Sequence, residues 1–276
     1  AAWAANGNAG RIVRPARNTN LQNLPVAIFR GSHRSRRGCD IEFFGSAIES
    51  ISGYPASQFG YENALVFIAL LKSELGLAAE ATNAMNYKKQ MLTTGGTIGK
   101  NSLYYHPEFG SFISMRCVLI GAEVLPDRES ETKNLCADCR RCAAACPTGA
   151  IDGGGWTREK CLRNMMSEGI PESERKKVYE LLGCELCQLV CPMNPEERKA
   201  PETYSLLEIL RENETKHLKA KCGKNMATRT KLLTQGMAYA AAKGYRAALS
   251  EIETLTDDST EKVREMAVWA KKDFRR

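Results

Sequence analysis

Eight of the eleven cysteines in this 276-residue chain fall at spacings that suit metal chemistry. The first run is Cys136-x2-Cys139-x2-Cys142-x3-Cys146-Pro147. Two-residue gaps wrap successive thiolates around one face of an iron-sulfide cube, and the proline ends the turn so that a helix can begin. The second run, Cys184-x2-Cys187-x3-Cys191-Pro192, lacks a nearby fourth thiolate, and Cys161, just before a predicted helix, can supply it. Eight soft ligands of this kind complete two 4Fe-4S clusters, whose chemistry is electron transfer. A pair of structural zinc sites is the alternative, because CxxC pairs also bind zinc. The additional cysteines and the Cys-Pro endings weigh against zinc. Of the remaining three, Cys117 lies in an apolar strand and reads as a small buried residue, while Cys39 and Cys222 sit in basic loop or terminal segments. None of these three is assigned a role.

The elements that must hold these ligands follow from composition and periodicity. Apolar residues make up 43%, enough for a core, and the length suggests one large or two to three small domains. The fold class expected is α+β. A β-rich run at 25–29 precedes a basic loop, and 41–51 alternates toward the turn Ser52-Gly53-Tyr54-Pro55. Apolar residues at Leu65, Ile68, Ala69 and Leu71, with Gly76 beyond, predict a core helix over 62–75. A shorter helix is expected over 86–93, then a glycine cluster at 95–99 and a buried strand over 111–119. A charged linker at 128–134 ends this part, so residues 1–130 read as an α/β domain, 131–200 as a double-cluster module and 201–276 as a helical tail. Helical periodicity covers 206–210, 232–241, 245–254 and 260–272. The segment Asp257 to Arg264 is similar to the turn and second helix of a HEAT repeat, and one such pair reads as a helical cap.

The net charge of +7 concentrates at 30–37, 216–231 and 271–276, which permits acidic or RNA partners without requiring them. No aromatic stacking motif interleaves those charges, so a solvated basic surface is the simpler reading. No apolar run approaches the roughly twenty residues of a membrane span, and residues 1–17 carry no secretory core. Reduced thiolates and a cytoplasmic location are therefore expected. The chain opens at Ala1-Ala2-Trp3 without Met, which leaves room for a preceding segment.

Four stretches carry a family resemblance. They are Gly99-Lys100-Asn101-Ser102-Leu103, His106-Pro107-Glu108-Phe109-Gly110-Ser111-Phe112, Cys136 to Ile151, and Gly183 to Pro192. Together they resemble the epoxyqueuosine reductases, with reductive dehalogenases as more distant relatives. The resemblance covers about 61–194 and implies a ferredoxin-like crossing of ligands. One cluster then takes Cys136, Cys139, Cys142 and Cys191, the other Cys146, Cys161, Cys184 and Cys187. It further implies a cobalamin in the preceding α/β domain, edged by Gly99, Lys100, Asn101, Ser102, His106, Phe109, Gly110 and Ser111, and reduced by the clusters. Read without the resemblance, the glycine cluster is as well explained by a tight turn, and His106 by a structural role. His33 and His217 lie in basic stretches and read as solvated.

Two departures stand out. The resemblance calls for a proton-donating aspartate before the glycine loop, where the chain reads Glu80-Ala81-Thr82-Asn83-Ala84-Met85-Asn86-Tyr87, leaving Glu80 as the candidate acid. The family's Cys-Pro-Trp-Asn is here Cys191-Pro192-Met193-Asn194, which loses the indole donor. Three functions follow as expectations. The first is a cobalamin-dependent iron-sulfur reductase fed by an external low-potential donor. The second is a ferredoxin-type electron carrier without its own catalytic site. The third, compatible with the first, is a tRNA-binding protein whose basic segment at 216–231 contacts phosphate.

Overall fold

The computed structural model describes residues 12–15, 26–31, 40–42, 48–50, 57–82, 92, 96–106, 110–111, 114–124, 136–152, 155–194 and 203–275. The linker at 128–134, His33, Cys39, Phe109 and all of the helical candidate at 86–93 except Leu92 lie outside them. The described chain mixes helices and strands. By contacts it divides into two compact units, one of residues 1–34, 57–139 and 191–196, the other of 35–56, 140–190 and 197–276.

In the first unit, strands β1 (Ile12–Pro15), β2 (Val26–Gly31) and helix α1 (Ser57–Leu75) come before the glycine loop. Helix α1 starts five residues ahead of the expected 62 and stops at Gly76, whose φ of 61° only glycine adopts cheaply. Its buried stripe is Ala64, Ile68 and Leu71, at i, i+4 and i+7, and it packs with Leu77, Ala79, Val118, Ile120 and Ala122. Leu65 is 45% exposed and Ala69 faces out, a correction to the face expected. Both sit about 100° around the helix from that stripe.

Strand β8 (Ser114–Ile120) forms the middle of an antiparallel sheet with β2 on one side and β5 (Ala79–Thr82) on the other. Strand β9 (Ala122–Val124) pairs with β1. Strands β6 (Thr97–Ile98) and β7 (Tyr104–Tyr105) make a short antiparallel hairpin that carries the glycine loop.

The second unit begins with β3 (Asp40–Glu42) and β4 (Ile48–Ser50), paired antiparallel, and β3 also runs parallel to β12 (Thr203–Ser205). The cysteine-bearing part contributes α2 (Arg141–Ala145), a small ribbon of β10 (Ile151–Asp152) and β11 (Gly155–Trp156), α3 (Leu162–Glu168) and α4 (Leu186–Leu189). The tail supplies α5 (Leu206–Leu210), α6 (Thr215–Cys222), α7 (Arg229–Ala242), α8 (Leu249–Thr254) and α9 (Glu261–Phe274). Side-chain caps start two of them: Glu208 N donates to Ser205 Oγ at 3.4 Å, and Lys231 N to Thr228 Oγ1 at 3.3 Å.

Helix α6 replaces the loop expected around Cys222, which is buried at its end. His217, expected to lack a partner, lies 3.0 Å from the hydroxyl of Tyr204 through Nε2. Among the described residues no helix is long and apolar enough to cross a membrane.

One core joins the cysteine-bearing segment to the tail. Leu162, Met166, Leu181 and Leu182 pack in the same cluster as Leu206, Ile209, Leu232, Met237 and Ile252. Helix α7 is buried nearly all round, and α9 turns Val263, Met266, Ala267, Ala270 and Phe274 inward at helical spacing. Arg229, at the start of α7, clamps Glu212 through two hydrogen bonds of 2.7 Å and also both carboxylate oxygens of Asp258. Asp258 in turn accepts from Thr260 N at 2.8 Å, which fixes the turn entering α9.

Gln235, 2% exposed on α7, ties the tail to the cysteine segment directly. Its Nε2 donates to Met166 O at 2.9 Å and its Oε1 accepts from Leu182 N at 2.7 Å. Replacing it with Leu strands two backbone groups, each at a cost of about 1–3 kcal/mol. Gln235→Leu is therefore expected to lower unfolding stability by roughly 2–4 kcal/mol in urea titrations, although Leu is the more apolar residue.

Candidate metal centre

Four of the predicted ligands line one cavity. Cys146, Cys161, Cys184 and Cys187 share it with Pro147, Thr148, Ala150, Ile151, Trp156, Leu162 and Leu186. The space not filled by protein atoms is ≈ 350 Å³, part of it open to solvent. Among the described residues, no three or more His, Cys, Asp or Glu side chains converge as ligands of one metal ion do. Four thiols around a common opening are a donor set that could hold a metal group.

Local structure explains how each cysteine arrives there. Cys146 ends α2 in extended conformation, and Pro147 carries the chain toward β10. Cys161 is the residue before α3, where its carbonyl accepts from Met165 N at 3.0 Å. Cys184 precedes α4 and Cys187 lies within it. The hairpin of β10 and β11 puts Trp156, 39% exposed, at the rim.

The thiols differ in electrostatics. Burial raises the pKa of Cys146, but hydrogen bonds from Thr148, Ala150 and Ile151 outweigh it and bring the thiol below its ordinary value. Ala150 N donates to its sulfur at 3.2 Å, and Thr148 Oγ1 lies 3.6 Å away. Cys184 goes the other way: burial pushes it up to about 12, helped by the charge of Glu180 and Cys187, against a hydrogen bond from Leu186. A thiol held protonated by burial ionises when a metal takes the proton's place, so a raised pKa is compatible with a ligand role.

Of the other set, Cys136, Cys139 and Cys191 belong to the first unit and Cys142 to the second. Around the first three, the structure reveals roles that the sequence did not suggest. Lys100 Nζ donates to the carbonyls of Ala137 at 2.9 Å and Cys139 at 3.4 Å. Asn194 Oδ1 accepts from Ser111 N at 2.6 Å, and Asn194 Nδ2 donates to Ser111 Oγ at 3.0 Å. Lys100 and Ser111, expected beside a corrinoid, thus brace the two cysteine loops of this unit.

The other described residues of that expected edge also meet the chain itself. Asn101 Nδ2 donates to Tyr105 Oη at 2.8 Å, and Ser102 N to Gly99 O at 2.9 Å. His106 is buried and exchanges backbone hydrogen bonds of 2.9 Å with Gly110. A Cβ on Gly96 or Gly99 would strike the ring of Tyr104 or Tyr105, so tyrosine packing accounts for these glycines. Glu80 is exposed on β5, opposite Leu119 in the sheet.

Comparison with known proteins places this geometry. Residues 135–194 match a family model described as a 4Fe-4S double cluster binding domain. An epoxyqueuosine reductase of Bacillus cereus (strain ATCC 14579) is 37% identical over 103 residues, 36% of this chain and 27% of the relative. That of Cyclobacterium marinum is 32% identical over 143 residues, covering 46% and 44%. The chain thus spans less than half the length of these curated relatives.

Among solved structures, a Bacillus subtilis epoxyqueuosine reductase with its catalytic aspartate loop swung out of the active site aligns with a TM-score of 0.68. Identity is 21%, over 90% of this chain and 72% of that one. An epoxyqueuosine reductase bound to an epoxyqueuosine-modified tRNA-Tyr stem loop aligns at 0.69 with 20% identity, over 97% and 71%. The family resemblance read from the sequence is borne out by sequence and fold alike.

Proposed function

We propose that this chain, which resembles the epoxyqueuosine reductases in sequence and in fold, is an iron-sulfur reductase acting on epoxyqueuosine in tRNA. The observation that carries the reading is the cavity lined by Cys146, Cys161, Cys184 and Cys187. Bound at the two sets of cysteines, 4Fe-4S clusters would supply one-electron transfer from an external low-potential donor. The chain's own part is to hold and insulate them. Ala150 N–H and Thr148 stabilise negative charge on Cys146, and Leu162, Ile151 and Trp156 give that cavity an apolar lining. Lys100, Ser111 and Asn194 fix the loops of the other set.

A cobalamin belongs to the proposal through the resemblance. The tRNA reading is supported by exposed Lys216 and Lys224 in the basic segment, and by the name of the tRNA-bound structural neighbour. HEAT-like character of the tail is likewise proposed, on the turn that Asp258 and Arg264 organise. A second reading, an electron carrier, is favoured by the stretch from Glu80 to Tyr87, which contains no aspartate and whose one acid, Glu80, stands exposed.

Anaerobic purification with added cobalamin, followed by iron and cobalt analysis and assay on epoxyqueuosine-containing tRNA, separates the readings. About eight irons, bound cobalt and turnover are expected of the reductase. Iron with neither cobalt nor turnover identifies the carrier. Zinc in place of iron overturns both.

A further inference from the structure

Beside Cys184 lies a buried polar cluster that the cluster-binding motif does not require. Glu180 is 2% exposed and Glu185 5% exposed. Tyr179 Oη donates to Glu180 Oε1 at 2.5 Å. The backbone N–H of Glu185, the residue directly after Cys184, is shared between Tyr179 Oη at 2.7 Å and Glu180 Oε1 at 2.9 Å. Taking two donors on one oxygen favours the ionised carboxylate. Its charge is felt at Cys184, where it works with burial against the thiolate. Tyr179 has its pKa raised by burial and by the charges of Glu180 and Cys184, which keeps its hydroxyl a donor.

We propose that Glu180, held by Tyr179 and the Glu185 amide, is a positioning and tuning residue that lowers the reduction potential of the cluster carried by Cys146, Cys161, Cys184 and Cys187. The inference rests on the reading that this cavity holds a 4Fe-4S cluster. Reduction adds one negative charge to a group already bearing four thiolates. Net charge, hydrogen bonds to sulfur and exposure to solvent set the potential of such a cluster. A fixed carboxylate nearby, buried where solvent screens little, makes the electron harder to place. The acceptor it favours is therefore one that demands a strong reductant.

The test is an anaerobic redox titration of the reconstituted full chain, followed by electron paramagnetic resonance. Wild-type protein shows two reduction steps. Glu180→Gln is expected to move one of them upward by about tenfold or more in the reduction equilibrium, ~59 mV per tenfold for one electron, and to leave the other in place. Glu180→Asp, which keeps the charge, is expected to restore the wild-type value. Tyr179→Phe removes a donor shared by the Glu180 carboxylate and the Cys184 sulfur, and is expected to move the same step downward. If the Gln variant does not retain iron, Glu180→Met, uncharged and of similar length, is titrated in its place, with the same upward shift expected and an unshifted potential overturning the inference. Iron-replete variants with unshifted potentials leave Glu180 a structural brace and overturn the inference. A wild-type protein that takes up no iron at this cavity overturns the cluster reading and the inference with it.

Discussion

Replacing Cys161 with Ser is expected to halve the iron of the reconstituted protein, from about eight to about four atoms per chain, and to abolish one of two cluster signals. Cys161 is the one proposed ligand outside the two runs, and spacing alone does not fix its partners. The structure places it on the same cavity as the last cysteine of the first run and the first two of the second. Its position is rigid: it precedes α3, and the adjacent Leu162 is 1% exposed in the core shared with the tail. A serine there keeps the helix start and removes only the sulfur, so the fold should survive while one iron loses its thiolate. Cys222→Ser is the control. That cysteine is buried at the end of α6, and its substitution should cost stability without changing iron content. Iron at the wild-type level in Cys161→Ser would remove Cys161 from the ligand set.

The double-cluster module was legible because cluster chemistry imposes local spacing, and local spacing survives in a sequence. The short helix at Leu206–Leu210 was legible for a similar reason, with its apolar residues and its Ser205 cap all in one stretch. Helix α6 was not, because Thr215–Cys222 is rich in lysine and, among its residues of described burial, turns Leu218 and Cys222 into the core. Pairing of β12 with β3 joins segments about 160 residues apart, and no periodicity announces such a contact. In the glycine loop, Gly96 and Gly99 read as a tight turn or as a ligand's approach, and the rings of Tyr104 and Tyr105 packed against them carried no signal in the sequence. Glu180 carried no signal either: its closeness to Cys184 depends on how the chain between Tyr179 and Glu185 turns back on itself.

Gly110→Ala is expected to empty the other cluster, the one assigned to Cys136, Cys139, Cys142 and Cys191, while leaving the Cys161 cavity loaded. Gly110 adopts φ +61°, where alanine costs about 1–2 kcal/mol. A Cβ there would also meet Asn194 Cα and Met193 O at 2.9 Å each, and the Asn194 side chain closer still. Backbone atoms cannot rotate aside, so overpacking adds about 1–3 kcal/mol more. The strain is relieved most readily by moving the Cys191-Pro192-Met193-Asn194 turn, which is closed by Asn194 N donating to Cys191 O at 3.1 Å. A shift of that turn carries the Cys191 sulfur with it. Iron should fall to about four atoms per chain, with the surviving signal abolished by adding Cys161→Ser. Ser111→Ala, which loses side-chain hydrogen bonds to Asn194 but adds no bulk, should keep both clusters. Full iron in Gly110→Ala would mean that residue 110 yields instead of the turn, and that the bracing of Cys191 by Asn194 has slack the structure does not display.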